Sequence, residues 1–100
     1  MTQDEQQILD ELYRRKLAHE PYAAYCTASE PLGLKYYTGR WVDGKPEMRD
    51  VSIDTGTTLR IVMVSRLGDI GLTEHLEAAY GYGIRLPLDS EKITRIRWTR

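Results

Sequence analysis

A chain of 100 residues that is 41% apolar can bury one modest core without staples, and it reads as a single α+β domain over residues 1–100. Its formal charge of −1 excludes a protein held to nucleic acid or anionic lipid mainly by bulk charge, and its lone cysteine, Cys26, excludes an intramolecular disulfide. The polar, acidic start from Met1 to Gln7 carries no signal-peptide pattern and no apolar run approaches the roughly 18 residues of a membrane span, so the expected setting is the cytoplasm, without membrane contact.

The first element is announced by Thr2-x-x-Glu5, a capping box. Ile8, Leu9, Leu12, Tyr13 and Leu17 follow at helical spacing, and Arg14, Arg15 and Lys16 stand near the negative end of the helix dipole. The spacing predicts a helix over about Gln3 to Ala18, ended by His19-Glu20-Pro21. Pro21 at a first helical position would allow a short second helix from Tyr22 to Cys26 before Glu30-Pro31-Leu32-Gly33 forces a turn.

From Leu34 the apolar period falls to two. Leu34 to Val42 reads as a strand, Asp43-Gly44 as a tight turn, and Glu47 to Ile53 as the return strand. Asp54-Thr55-Gly56 makes the next turn, and Thr58 to Ser65 the third strand of a meander. Ile61 to Val64 is apolar on both faces of that strand, which points to a central place in the sheet. Thr73 to Tyr80 is predicted as a second main helix stopped by Gly81 and Gly83. Ile84 to Leu88 and Lys92 to Thr99 complete the fold as a C-terminal strand pair, in a sheet that is mostly antiparallel.

Between the third strand and the second helix lies Arg66-Leu67-Gly68-Asp69-Ile70-Gly71. A strand that empties through glycines into a helix is a common place for a ligand, because the backbone can approach closely and the first helical N–H groups face it. Arg66, Gly68, Asp69, Gly71 and Thr73 are therefore the candidate small-ligand residues. The spacing matches neither the phosphate-binding P-loop nor the dinucleotide fingerprint. Asp69 would repel a phosphate, and an internal pair with Arg66 that stiffens the loop is the simpler account.

Nucleophile and metal chemistry would have to come from Cys26, His19 and His75, whose spacing fits no ligand pattern. A buried thiol and two surface histidines are the ordinary reading. Asp69, Glu74 and Glu77 could form a carboxylate pair around a cleft, but an acidic first helical turn is also normal capping. No catalytic residue, metal or cofactor is assigned.

Aromatic and basic residues interleave twice. Tyr36, Arg40 and Trp41 on the first strand of the meander are of the types that carry binding energy when desolvated, and they are the candidate interface. Arg85, Arg95 and Arg97 belong to a C-terminal segment of positive balance and make the alternative, a nucleic-acid surface. Near-neutral charge favours the first. The expected function is a non-catalytic binding or accessory module that works through protein contact, as a homo-oligomer or with a protein partner. Nucleic-acid binding and a small enzyme or ligand domain built on loop 66–73 are the alternatives.

Overall fold

The computed structural model describes residues 2–65, 69–77, 85–87 and 91–100, with the backbone alone for 85–87. Helix α1 spans Gln3–Leu17. Thr2 Oγ1 accepts from the Glu5 N–H and Glu5 Oε1 accepts from the Thr2 N–H, both at 3.1 Å, so the capping box closes as its sequence predicts. Glu5 also reaches outward, its Oε2 accepting from the Ile96 N–H at 3.0 Å. At the other end Lys16 Nζ donates to the Val64 carbonyl at 2.6 Å. The helix is thus tied to the sheet near both ends, while Leu9 and Leu12 between them are buried, each side chain contributing about 2 kcal/mol by leaving water.

Seven strands follow among the described residues: β1 (Ala24–Ala28), β2 (Leu32–Val42), β3 (Lys45–Ile53), β4 (Thr58–Val64), β5 (Asp69–Thr73), β6 (Arg85–Pro87) and β7 (Ile93–Arg97). Five form one sheet in the order β6-β5-β4-β1-β7, and β2 with β3 forms a separate two-stranded sheet. Every pairing is antiparallel. The apolar strand β4 is the middle of the five, as its two-sided pattern leads one to expect. One core joins Leu9 and Leu12 to Cys26, Leu59, Ile61, Leu72 and Ile96 of the sheet and to Leu32, Leu34 and Ile53 at the base of the β2–β3 hairpin.

Four expectations are corrected. The predicted second main helix does not start at Thr73: Asp69–Thr73 is strand, 74–77 is turn and bend, and 78–80 lie outside the described residues, so α1 is the one helix among the described residues. Thr73 Oγ1 accepts from the His75 N–H at 3.1 Å, the local bond of a turn rather than of a helix cap. Ile70 opposite Val64 and Leu72 opposite Ile61 bury both apolar side chains of β5 against β4, and that packing overrides the local helical signal. The short helix over Tyr22 to Cys26 is instead the approach to β1, whose small residues Ala24, Cys26 and Ala28 are buried.

The meander is also broken. After the turn at Gly56, whose φ is 88°, the Gly56 N–H donates to the Ala28 carbonyl at 2.8 Å and Ala28 N–H to the Thr57 carbonyl at 2.9 Å. These bonds turn β4 onto β1 and leave the β2–β3 hairpin on its own. The C-terminal strands do not pair with each other: β6 lies beside β5 at one edge and β7 beside β1 at the other.

Among the described residues no helix is long and apolar enough to cross a membrane. No buried side-chain nitrogen or oxygen lacks a hydrogen-bond partner among them either.

Glu5 joins the helix cap to an edge strand, and its carboxyl is held below the ordinary value of 4.5. Partial burial pushes it up, but hydrogen bonds from Ile96 and Thr2 outweigh that and favour the charged form. A lowered folded value means that this stabilisation is complete above the ordinary value and is lost as pH falls through the folded one. Glu5→Ala is expected to lower unfolding stability in urea by about 1–2 kcal/mol near pH 7, and by less as acid protonates Glu5 in the unmodified chain. An unchanged midpoint at neutral pH would refute the role.

Candidate functional site

The β2–β3 hairpin is buried at its base and bare at its end. Leu32, Leu34 and Ile53 are buried, Tyr36 and Val51 are half-buried, and from Tyr37 through Met48 nearly every residue is exposed. An 11-residue strand such as β2 runs up to about 36 Å, against a longest molecular dimension of 45 Å. Its end is closed by Asp43 and Gly44 with φ of 51° and 76°, the double positive φ of the hairpin turn whose twist matches the strands.

The pairing puts Tyr37 opposite Met48 and Trp41 opposite Pro46. Four steps along β2 therefore match two along β3, and the two extra residues are taken up where Gly39 has φ 90° and the Arg40 N–H donates to Thr38 Oγ1 at 3.3 Å. Because the insertion is even, Tyr37, Trp41, Pro46 and Met48 share the outer face. The large apolar side chains that the described residues leave exposed are Leu17 and four on this hairpin: Tyr37 at 39%, Trp41 at 66%, Val42 at 46% and Met48 at 48%. Arg40 is exposed beside them.

Tyr36, the third residue of the predicted interface, faces the other way. Its hydroxyl accepts from the Glu74 N–H at 3.0 Å and lies 3.5 Å from Thr73 Oγ1, and its ring meets His75 at 5.6 Å between centroids. It braces the hairpin against the end of β5. Beside this brace Tyr36, Tyr37, Thr38, Arg49, Val51, Glu74 and His75 line a cleft of about 370 Å³. Sequence reasoning passed over Met48 and Pro46; the signal available was that Met48, two residues before Asp50, sits on the polar side of β3.

The predicted ligand loop is rearranged. Arg66 and Gly68 lie outside the described residues, and with them the expected Arg66–Asp69 pair. Asp69 opens β5, its N–H donating to Ser65 Oγ at 3.1 Å and its carbonyl accepting from the Ser65 N–H at 2.8 Å. Gly71 is buried in β5, where a Cβ would stand 3.2 Å from Met63 Cβ; its missing side chain makes room at the bulge between Ile61 and Met63. Thr73 is buried. These three residues belong to a strand, and among the described residues no helical N-terminus faces them.

The arginines of the alternative surface are divided. Arg97 is half-buried and donates to Thr27 Oγ1 at 3.1 Å, to Thr58 Oγ1 at 3.5 Å and to the Arg95 carbonyl at 2.6 Å, so it ties β7 to β1 and β4. Arg95 is exposed, with φ 54°. The Arg85 side chain lies outside the described residues. Trp98 is half-buried beneath the Arg15 guanidinium, 4.4 Å from its ring centroid. Cys26 is fully buried, and burial pushes its thiol up to about 12 against a small opposing pull from Arg97. A protonated, covered thiol is a poor nucleophile. Among the described residues no three His, Cys, Asp or Glu side chains are grouped so as to hold a metal ion.

Two outcomes are expected. Tyr36→Phe removes the acceptor for the Glu74 N–H and should cost about 1 kcal/mol in urea unfolding, with faster hydrogen exchange at Glu74; unchanged exchange there would refute the brace. Cys26 should react with a thiol reagent near pH 8 only after denaturant unfolds the chain, and prompt labelling of the native protein would refute its burial.

Compared with known proteins, the chain matches no family model, no curated protein and no solved structure.

Proposed function

We propose that this chain is a non-catalytic protein-binding module whose contact surface is the outer face of the β2–β3 arm. The observation that carries this reading is the concentration of exposed Tyr37, Trp41 and Met48 on one face of a single hairpin. Tyr, Trp and Met are enriched where proteins meet, and Trp and Tyr with Arg dominate the energy of such contacts. The arm is already ordered by its buried base and by the Tyr36 brace, so a partner would not have to fold it, and less ordering entropy opposes binding.

A formal charge of −1 suits a partner recognised by shape and apolar contact rather than by charge. Arg97 gives the nucleic-acid alternative little support, because its guanidinium is engaged inside the sheet. The cytoplasm is the compartment we assign, where a covered, reduced Cys26 is at home.

Arg40→Ala combined with Trp41→Ala is expected to weaken assembly or partner binding at least about tenfold, as loss of a hot spot does. Both residues are exposed, so the circular dichroism and melting temperature should hold. The measurement is sedimentation of the purified chain together with capture from an extract of its own source. A folded double variant that assembles and captures as the unmodified chain does would defeat the proposal.

A further inference from the structure

The outer face of the arm carries charge as well as apolar area. Lys35 and Asp50 oppose each other in the pairing, next to the Tyr37–Met48 pair, and both are exposed. Neither side chain makes an ion pair or hydrogen bond among the described residues. Beyond Gly33 and Ser52 at its base, the face reads outward as three cross-strand pairs: Lys35 with Asp50, Tyr37 with Met48, and Trp41 with Pro46. Each β2 member has a complementary partner on β3, cation with anion, phenol ring with thioether, indole with proline ring.

We infer that the occupant of this face is a second copy of the same chain, related by a two-fold axis running along the hairpin. The inference rests on the reading of the arm as the contact surface and names its partner. Rotation about such an axis lays β2 of one copy over β3 of the other. Lys35 then meets the second copy's Asp50, and Asp50 its Lys35, so two unused charges become two ion pairs. Tyr37 meets Met48 in a sulfur–aromatic contact, and Trp41 covers Pro46. The buried base and the Tyr36 brace lie on the inner side of each hairpin, so the two bodies sit on the outside of the stacked arms and do not collide. A like-charged outer face would have forbidden this arrangement; the opposed pair permits it in this register.

A two-stranded face lies at the small end of specific interfaces, so the dimer should be reversible, with a dissociation constant on the order of 10–100 µM. The test is sedimentation equilibrium between about 5 µM and 1 mM, a span chosen to bracket that constant. The unmodified chain is expected to move from 11.6 kDa toward twice that mass. Lys35→Asp alone and Asp50→Lys alone each place like charges across the axis twice, and each should weaken the dimer at least about tenfold. Mixed one to one, the two variants present opposite charges at both positions and should form a heterodimer of roughly the original affinity. That rescue cannot come from repair within either hairpin, since each variant keeps its own like-charged pair.

Single variants that associate as the unmodified chain does, or a mixture that gains nothing, would overturn the inference. So would a chain that stays at 11.6 kDa throughout. If that monomer binds another polypeptide through Trp41, the second-copy assignment fails while the arm remains the contact surface; if it binds nothing, both readings fail.

Discussion

Leu32, Leu34 and Ile53 hold the base of the hairpin in the core, and the direction of everything beyond them depends on that anchorage. A two-stranded hairpin alone in water is marginal. Here its first residues are buried with the sheet and the helix, and the Tyr36 hydroxyl fastens its middle to the Glu74 backbone. Past that point the bulge at Gly39 and the turn at Asp43-Gly44 carry the strands away from the body. The result is a preformed blade with apolar side chains that its own core does not cover.

The rest of the molecule absorbs most of the chemistry its sequence offers. Burial keeps Cys26 protonated. Arg97 spends its donors on threonines of the neighbouring strands, and Glu5 divides its two oxygens between the helix cap and β7. Lys16 caps the end of β4. Among the described residues, the exposed Tyr, Trp and Met side chains lie on the arm. The functional reading follows from that division of labour: polar groups in the body close the fold, while Tyr37, Trp41 and Met48 stand apart from it.

Local signals in the sequence were reliable where local forces decide the structure. The capping box, the Asp43-Gly44 turn, the hairpin strands and the buried middle of β4 were all legible, because each rests on bonds or burial within a few residues. The failures share a cause. Thr73-Glu74-His75 looks like a helix start, yet Thr73 belongs to a strand whose Ile70 and Leu72 are claimed by β4. Gly71 looks like a loop glycine and instead clears space for Met63. The partner of β4 turned out to be β1 rather than β3, a choice made by strands about thirty residues apart and invisible in either segment. At the candidate site Trp41 and Arg40 are exposed on β2, whereas Tyr36 is turned inward by a hydrogen bond to a distant turn, and Met48 could be placed only once the cross-strand register was known.

The most direct test is to watch Trp41 itself. The chain has two tryptophans, so Trp98→Phe leaves Trp41 as the sole indole reporter, and its emission and quenching by iodide can be followed from dilute to concentrated protein. The account predicts long-wavelength, readily quenched emission when dilute, because Trp41 is exposed, shifting to shorter wavelength with loss of quenching as the arms meet. Emission that stays unshifted and fully quenchable at concentrations where the mass has doubled would show that the chain assembles elsewhere, and would contradict the central claim.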